Sequence, residues 1–299
     1  MIFRSFSGLE VAEFDALYAE IEGGYPAFEQ KRLYRVDRKR GVGAGHPFKL
    51  PLNTRLLMLL MYYRLYVTSL LAFLFGLGQT NVLKDIRMLE PLVGEVLPLP
   101  KKLNHKVRRL RTIDEVEAVF PGFNFLDATE QEIPRPESKL KRKTHYSGRK
   151  KRHTVKTQMT VNRDGLIAHK ARHARGGKHD YAVFKWHHPR LPDNVRLGLD
   201  LGYDGIQNDY PEFKVEVPFK RRSPGRGKRG FKAKELTSEQ KTFNQKLSKE
   251  RVVVEHTISR LKKFRIMAHK FRNRLKHYDT MTNIVCGLVN FRITGTIAI

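Results

Sequence analysis

Three acidic residues stand where the surrounding pattern gives them a chemical use. The segment GFNFLDATE alternates, with Phe123, Phe125 and Asp127 on one side, and reads as a short strand with a carboxylate at its end. NVRLGLD alternates in the same way, with Val195, Leu197 and Leu199 inward, and closes on Asp200. Strand ends in an open α/β sheet are where ligands bind. The third acid is Glu255, in LSKERVVVEHTISRLKKF. At about 100° per residue, Leu247, Val253, Val254, Thr257, Ile258, Leu261 and Phe264 form one arc of a helix, and Arg251, Glu255 and Lys262 cluster within roughly 40° at its edge.

Three carboxylates with no cysteine or histidine ligand beside them suit hard, oxygen-seeking cations, magnesium or manganese. Two such ions roughly 4 Å apart activate an attacking oxygen and stabilise a leaving one in phosphodiester cleavage. Spacing alone is weak evidence, because the chain holds 30 acids. Asp180 in the HDY stretch and Asp204 in the turn GYDG are rivals; Asp200 is preferred because it closes an apolar alternating strand. Arg251 and Glu255 also fit an ordinary surface pair four residues apart, worth a few tenths of a kcal/mol.

The whole chain favours a polyanionic partner. Its 299 residues are enough for two domains, and 58 Lys+Arg against 30 Asp+Glu give a formal charge of +28. The normal apolar fraction excludes a disordered basic tail, so nucleic acid is the expected partner. Cys286, the single cysteine, excludes an internal disulfide and a cysteine-based zinc site, and the 12 histidines show no HxxxH or HExxH spacing. The start, MIFRSFSGLEVAEFD, lacks a basic segment followed by an apolar run, and the apolar stretch 56–77 is broken by Arg64. No signal peptide, no membrane span and a cytoplasmic, nucleoid-associated location are therefore expected.

The elements that must carry these acids follow in order. Leu9, Phe14, Leu17 and Ile21 give residues 7–22 a helical face, with Ser7 as N-cap, and the basic stretch 29–49 reads as a loop. Asn53 or Thr54 caps a helix to about Tyr66, and Thr68 or Ser69 caps a second to Phe75. After the turn Gly76–Leu77–Gly78, a third runs from Gln79 to Leu89 and is stopped by Pro91. Two helices joined by such a turn, with Leu71, Leu77, Val82 and Ile86 at core spacing, have the form of a helix-turn-helix; a plain helical hairpin is the alternative. Its last helix would present Gln79, Thr80, Asn81 and Lys84, side chains able to read adenine edges or hold phosphate.

Beyond a linker at 96–120 the pattern turns to strands. Residues 135–153 are a charge run around a Ser-Gly turn. HTVKTQMTV and LIAHKARHA form a hairpin across NRDG, HDYAVFKWHH a short helix, and FKVEVPF a last strand. Residues 220–234 are a basic loop suited to a phosphate backbone or to nothing but solvent. Thr237 or Ser238 caps the helix that carries Glu255, with Glu239 strengthening its start, and a final helix at about 277–293 buries Tyr278, Met281, Ile284, Val285, Leu288 and Phe291. The order gives a helical domain at 1–95, with the helix-turn-helix at about 53–90, followed by an α/β domain at 121–299.

Several of these segments, in this order, resemble the DDE transposases of bacterial insertion sequences, in the group related to the PIF/Harbinger elements. LDATEQEIPRP is similar to that family's first-aspartate motif, with Ala128 where glycine is usual; LDLGYDG is similar to the second, which supports Asp200 over Asp204. RVVVEHTISRLKKF resembles the motif around the catalytic glutamate: Arg251, Glu255 and Lys262 match the signature Tyr-x2-Arg-x3-Glu-x6-Lys, and Ser248 stands where its tyrosine would be. YSGRKKRHTVKTQ and residues 50–93 also look like the family's basic segment and N-terminal helix-turn-helix.

The resemblance implies an RNase H-like mixed sheet with flanking helices, preceded by the all-α domain. It implies Asp127, Asp200 and Glu255 as catalytic residues and ligands of two Mg²⁺ or Mn²⁺ ions, hydrolysis at element ends, and transfer of the freed 3′-hydroxyl into target DNA. Lys262 would hold a phosphate, and Arg251 would pair with Glu255 or grip the backbone. The partner would be double-stranded DNA, bound by a homodimer or a larger assembly. A non-catalytic DNA-binding regulator and an RNase H-like nuclease are the alternatives.

Overall fold

The computed structural model describes residues 2–37, 39–41, 44–107, 114–115, 124–187, 195–221 and 235–297. Phe123, Asn194, nearly all of the basic loop and part of the linker lie outside these residues. The chain divides into two compact units, Met1–Leu99 with Arg260–Ile299, and Pro100–Ser259. The last forty residues thus belong with the N-terminal helices, whereas the sequence places the boundary near residue 96.

The first unit is helical: α1 (Ile2–Ser7), α2 (Val11–Leu33), α3 (Leu52–Leu65), α4 (Thr68–Leu74) and α5 (Gln79–Val96), joined by helices from the chain's end. Ser7 ends α1 rather than capping the next helix, which starts with the Glu13 side chain accepting from the Glu10 N–H. α3 begins after Pro51 and α4 after Val67, so the expected side-chain caps are not used. Gly76, at φ 60°, makes the left-handed turn after α4; Leu77 N–H reaches the Ala72 carbonyl, and Lys49 Nζ donates to the Gly76 carbonyl. Leu71, Val82 and Ile86 are buried as expected, while Leu77 is half-buried.

Two prolines fail to stop their helices. α2 runs through Pro26 and α5 through Pro91, five residues beyond the expected stop. Around Pro91, Leu89, Glu90, Leu92 and Val93 are all buried, and Tyr63 donates to Glu90 at 2.9 Å. This packing outweighs the backbone bond that proline removes. Tyr278–Thr294, the helix nearest the chain's end, buries the expected stripe and packs on α5.

The second unit holds a mixed sheet. Its strands are β1 (Asn124–Glu132), β2 (Tyr146–Ser147), β3 (Arg152–Val161), β4 (Ile167–Lys170), β5 (Ala174–Arg175), β6 (Arg196–Gly198) and β7 (Lys214–Glu216). β1 is central: antiparallel to β3 on one side and parallel to β6 on the other, with β7 parallel beyond it. β4 and β5 pair antiparallel with β3. This is the RNase H-like order expected, with antiparallel strands leading into parallel ones. Phe125 and Leu126 are both buried, so β1 starts as a strand covered on both faces rather than an alternating one. The charge run hides a short helix, α6 (Lys139–His145), ahead of the Ser147 turn. α7 (Asp180–His187) lays Phe184 on Leu126, Leu197 and Leu199.

The long helix α8 (Ser238–Lys262) starts from a reciprocal pair, with the Gln240 N–H bonded to Thr237 Oγ1 and the Thr237 N–H to Gln240 Oε1. Gln240, not Glu239, completes the box. Leu247, Val254, Thr257, Ile258 and Leu261 are buried along its stripe. Among the described residues, no helix is long and apolar enough to cross a membrane.

Candidate active site

Parallel register brings the two aspartates together. Phe125 is paired with Gly198; Asp127 stands two residues further along β1, and Asp200 two residues past the end of β6. Such strands run about 4.8 Å apart. Asp127 is half-buried and accepts from the Ala128 N–H at 2.7 Å. Asp200 leaves β6 and caps the 3₁₀ turn Leu201–Tyr203, accepting from the Gly202 N–H at 2.6 Å. A Cβ at Gly202 would stand 2.8 Å from Asp200 Oδ1. Gly202→Ala is therefore expected to turn that carboxylate away and to lower cleavage about a hundredfold, with the melting temperature nearly unchanged; single-turnover assays beside thermal melts check it.

Electrostatics identifies the neighbours. Burial pushes the Asp127 carboxyl up to about 6; the Ala128 N–H and the Arg251 guanidinium oppose the rise, and Asp200 and Asp180 add to it. Tyr203, buried beneath its turn, is raised well above the usual phenol range by burial first and then by Asp180, with Asp127 and Asp200 also contributing. Asp180, a rival in the sequence, thus acts electrostatically on both Asp127 and Tyr203. Asp204 is exposed and only ends the turn.

Glu255 is placed differently. It is exposed on α8 and is not among the groups acting on Asp127. Arg251, one turn earlier, is among them, and its buried Nε has no hydrogen-bond partner among the described residues. No ion pair joins Arg251 to Glu255 among the described residues, so the expected helical pair gives way to an Arg251–Asp127 attraction. Thr257 Oγ1 donates to the Gly165 carbonyl at 3.2 Å, which docks α8 on the turn between β3 and β4. At 1.5 Å of rise per residue, Glu255 lies about 6 Å along the axis from Arg251. Lys262 is exposed in the last turn of α8.

Among the described residues, no three His, Cys, Asp or Glu side chains stand close enough to hold a metal ion as placed. The donors nevertheless fit a hard cation. Asp127 and Asp200 both carry carboxylate donors near enough to act on one another, and the Asp127 carboxyl, raised first by burial and further by Asp200, would regain its charge beside a cation.

Sequence reasoning missed the polar layer behind this pair. Gln158, opposite Ala128 in the β1–β3 register, donates through Nε2 to the Tyr203 hydroxyl at 2.8 Å and to the Asp180 carbonyl at 3.0 Å. Lys156 is buried beside Asp180. Both sit in a strand that reads as β-branched and polar by turns, and only the fold shows what they face. In the first unit, Gln79, Thr80, Asn81 and Lys84 are all exposed on the first turns of α5.

The structure corrects one expectation: Asp127 lies inside β1, the fourth of its nine residues, because pairing with β3 carries the strand on to Glu132, while Asp200 follows the end of β6. A mixed sheet with an aspartate on its central strand and a second just past the neighbouring parallel one is the frame of a phosphodiester-cleaving enzyme, and residues 126–290 match the DDE superfamily endonuclease family. The chain belongs to that family, whose members depend on divalent metal ions. It is 28% identical over 264 residues, 87% of this chain and 88% of the other, to a protein described as a probable transposase for insertion sequence element IS702 from Microchaete diplosiphon. No solved structure matches the chain.

Proposed function

We propose that this chain is a transposase that cuts the ends of an insertion sequence and joins the freed 3′-hydroxyl to target DNA. The observation that supports the reading is the parallel pairing of Phe125 with Gly198, two residues before Asp127 and Asp200, together with the effect of Asp200 on the Asp127 carboxyl. The likeness to an insertion-sequence transposase over most of both chains supports the choice of DNA as substrate.

Asp127, Asp200 and Glu255 would hold two magnesium or manganese ions. Bound there, such ions supply activation of an attacking oxygen and charge neutralisation on the leaving one. Arg251 opposes the rise that burial gives the Asp127 carboxyl. Lys262 grips a phosphate as a point charge. Gln79, Thr80 and Asn81 read base edges at the element end while Lys84 binds backbone. Two ends must be brought together, so a dimer or larger assembly forms on DNA.

The test incubates purified full-length chain with labelled DNA carrying the flanking element's ends, with Mg²⁺, with Mn²⁺ and with chelator. Metal-dependent nicking at the ends, followed by strand joining, is the expected result. Cleavage that ignores the ends and never joins strands would make it a general nuclease. Tight binding without nicking in either metal would leave a DNA-binding regulator. Lys84→Ala should weaken binding to end and random DNA alike and lower the slope of log K against log salt by about 1, whereas Asn81→Ala should cost about 1–3 kcal/mol on the end sequence alone; fluorescence anisotropy across a salt series separates them.

A further inference from the structure

Positive charge gathers along one edge of the sheet, away from the paired aspartates. β2 and β5 both pair with β3 on the edge that β1 leaves open, at Arg152–His153 and Val155–Lys156. Residues 138–153 hold eight Lys and Arg and no acid, and residues 169–178 hold four and no acid. Two glycines press these segments together. A Cβ at Gly176 would stand 2.7 Å from the Thr154 carbonyl oxygen and 2.9 Å from that of His145. One at Gly177 would stand 2.8 Å from the Thr144 carbonyl oxygen, which accepts the Gly177 N–H at 3.1 Å. The charges of the two segments meet at His145, buried at the end of α6. Burial first holds its imidazole below the usual range, and Arg175, His173 and the Lys141 ammonium lower it further, against the hydrogen bond to the Lys141 carbonyl.

Like charges packed this closely repel, and a polyanion relieves the repulsion. Arg152 is spent on Glu132 at 2.8 Å. Arg149, Lys150, Lys151 and Arg175 are exposed and form no ion pair among the described residues. Lys151 stands at φ 53°, in the left-handed region where glycine is the usual choice, yet the position carries a cation. Lys178 Nζ lies 2.8 Å from the ring centre of Trp186, the chain's single tryptophan, which is 62% exposed. Neither segment contains Asn or Gln, so the surface offers cations for phosphate and none of the amides that read adenine. Arg152 is seven residues along β3 from Met159, the partner of Asp127. That is about 24 Å of strand, or roughly seven base pairs of duplex.

We infer that this edge grips the backbone of duplex DNA without regard to sequence, and that the DNA it holds is the target of strand joining. An element end has a sequence to be read, which suits the amide side chains at the start of α5. Target DNA is taken through phosphates that all sequences share. The inference rests on the reading of the chain as a transposase.

The test compares the full-length chain with Arg149→Gln/Lys150→Gln/Lys151→Gln and with the charge-keeping Arg149→Lys/Lys150→Arg/Lys151→Arg. On a random-sequence duplex, anisotropy across a salt series should show the Gln variant binding about tenfold more weakly, its slope of log K against log salt lower by about 2 to 3. The charge-keeping variant should match wild type. On a short end duplex the Gln variant should lose no more than about twofold. Its nicking at ends should be unchanged, while joining falls at low target concentration and recovers as target is raised. Trp186 emission should change as random duplex binds, because phosphate draws Lys178 from the ring, and the Gln variant should need more DNA for the same change. Wild-type affinity and slope in a folded Gln variant would overturn the inference, as would an emission that DNA leaves unchanged. Equal losses on end and random duplex would also overturn it and give the edge to the element end. Arg175→Gln, expected to lower the slope by about 1, decides the matter if the triple variant does not fold. A wild-type chain that grips random duplex through this edge but never nicks an end would sink the transposase reading and leave the contact standing.

Discussion

Asp127→Asn and Asp200→Asn should each lower end cleavage by about a thousandfold or more, roughly 4 kcal/mol of transition-state stabilisation, with end binding retained. The substitution is nearly isosteric, and each aspartate's local bond survives it: the Asn oxygen still accepts from the Ala128 or the Gly202 N–H. What is lost is one negative charge in a site that must neutralise cations. DNA affinity should stay level or rise, since the variants also lose a repulsion toward phosphate. Glu255→Gln is the cleanest of the set, because Glu255 is exposed and its change leaves the core untouched. Single-turnover cleavage beside a binding titration separates the two quantities. A fully active Glu255→Gln would remove that residue from the site.

These expectations show what the chain discloses before it is folded. Asp127 and Asp200 were legible because each follows an apolar strand segment, and strand periodicity is a local property; that β1 runs on past Asp127 to Glu132 was not, because it depends on pairing with β3. Their juxtaposition was not, since it depends on parallel pairing between β1 and β6, which lie some seventy residues apart in sequence. The stripe of α8 was legible through Val254, Thr257, Ile258 and Leu261, all buried. Which member of its charged edge meets Asp127 depends on how α8 docks through Thr257 on Gly165, and that favours Arg251 over Glu255. Asp180 was legible only as a rival: HDY carries no pattern, and its part follows from the long-range contacts of Lys156 and Gln158. The same limit misled the helix ends. Pro91 is a local stop signal, and the buried side chains on either side of it override that signal.

The second large effect is expected in the helical unit. Arg55 on α3 is 2% exposed, and its guanidinium lies 2.6–2.7 Å from Asp85 on α5, donates to the Tyr25 hydroxyl at 2.9 Å and stacks 3.6 Å from the centre of the Phe48 ring. Asp85→Ala strands that cation in the interior, and the cost should be about 3–5 kcal/mol in chemical denaturation followed by circular dichroism. Because Asp85 adjoins Lys84 on the helix proposed to enter DNA, end binding should fall with it. The double change Arg55→Leu/Asp85→Leu should recover much of the stability, since removing both charges also removes the penalty for burying them. Exposed Arg4–Glu10, at a similar 2.6 Å, is the control: solvent screens it, and Glu10→Gln should shift stability by less than about 1 kcal/mol. If Asp85→Ala proved equally mild, the pair would be ornamental, and α5 would be held by Val82, Ile86 and Leu89 alone. Loss of the buried pair leaves an unsolvated charge, so the helical unit's stability should respond far more to it than to the exposed Arg4–Glu10 pair or a single methyl of the core.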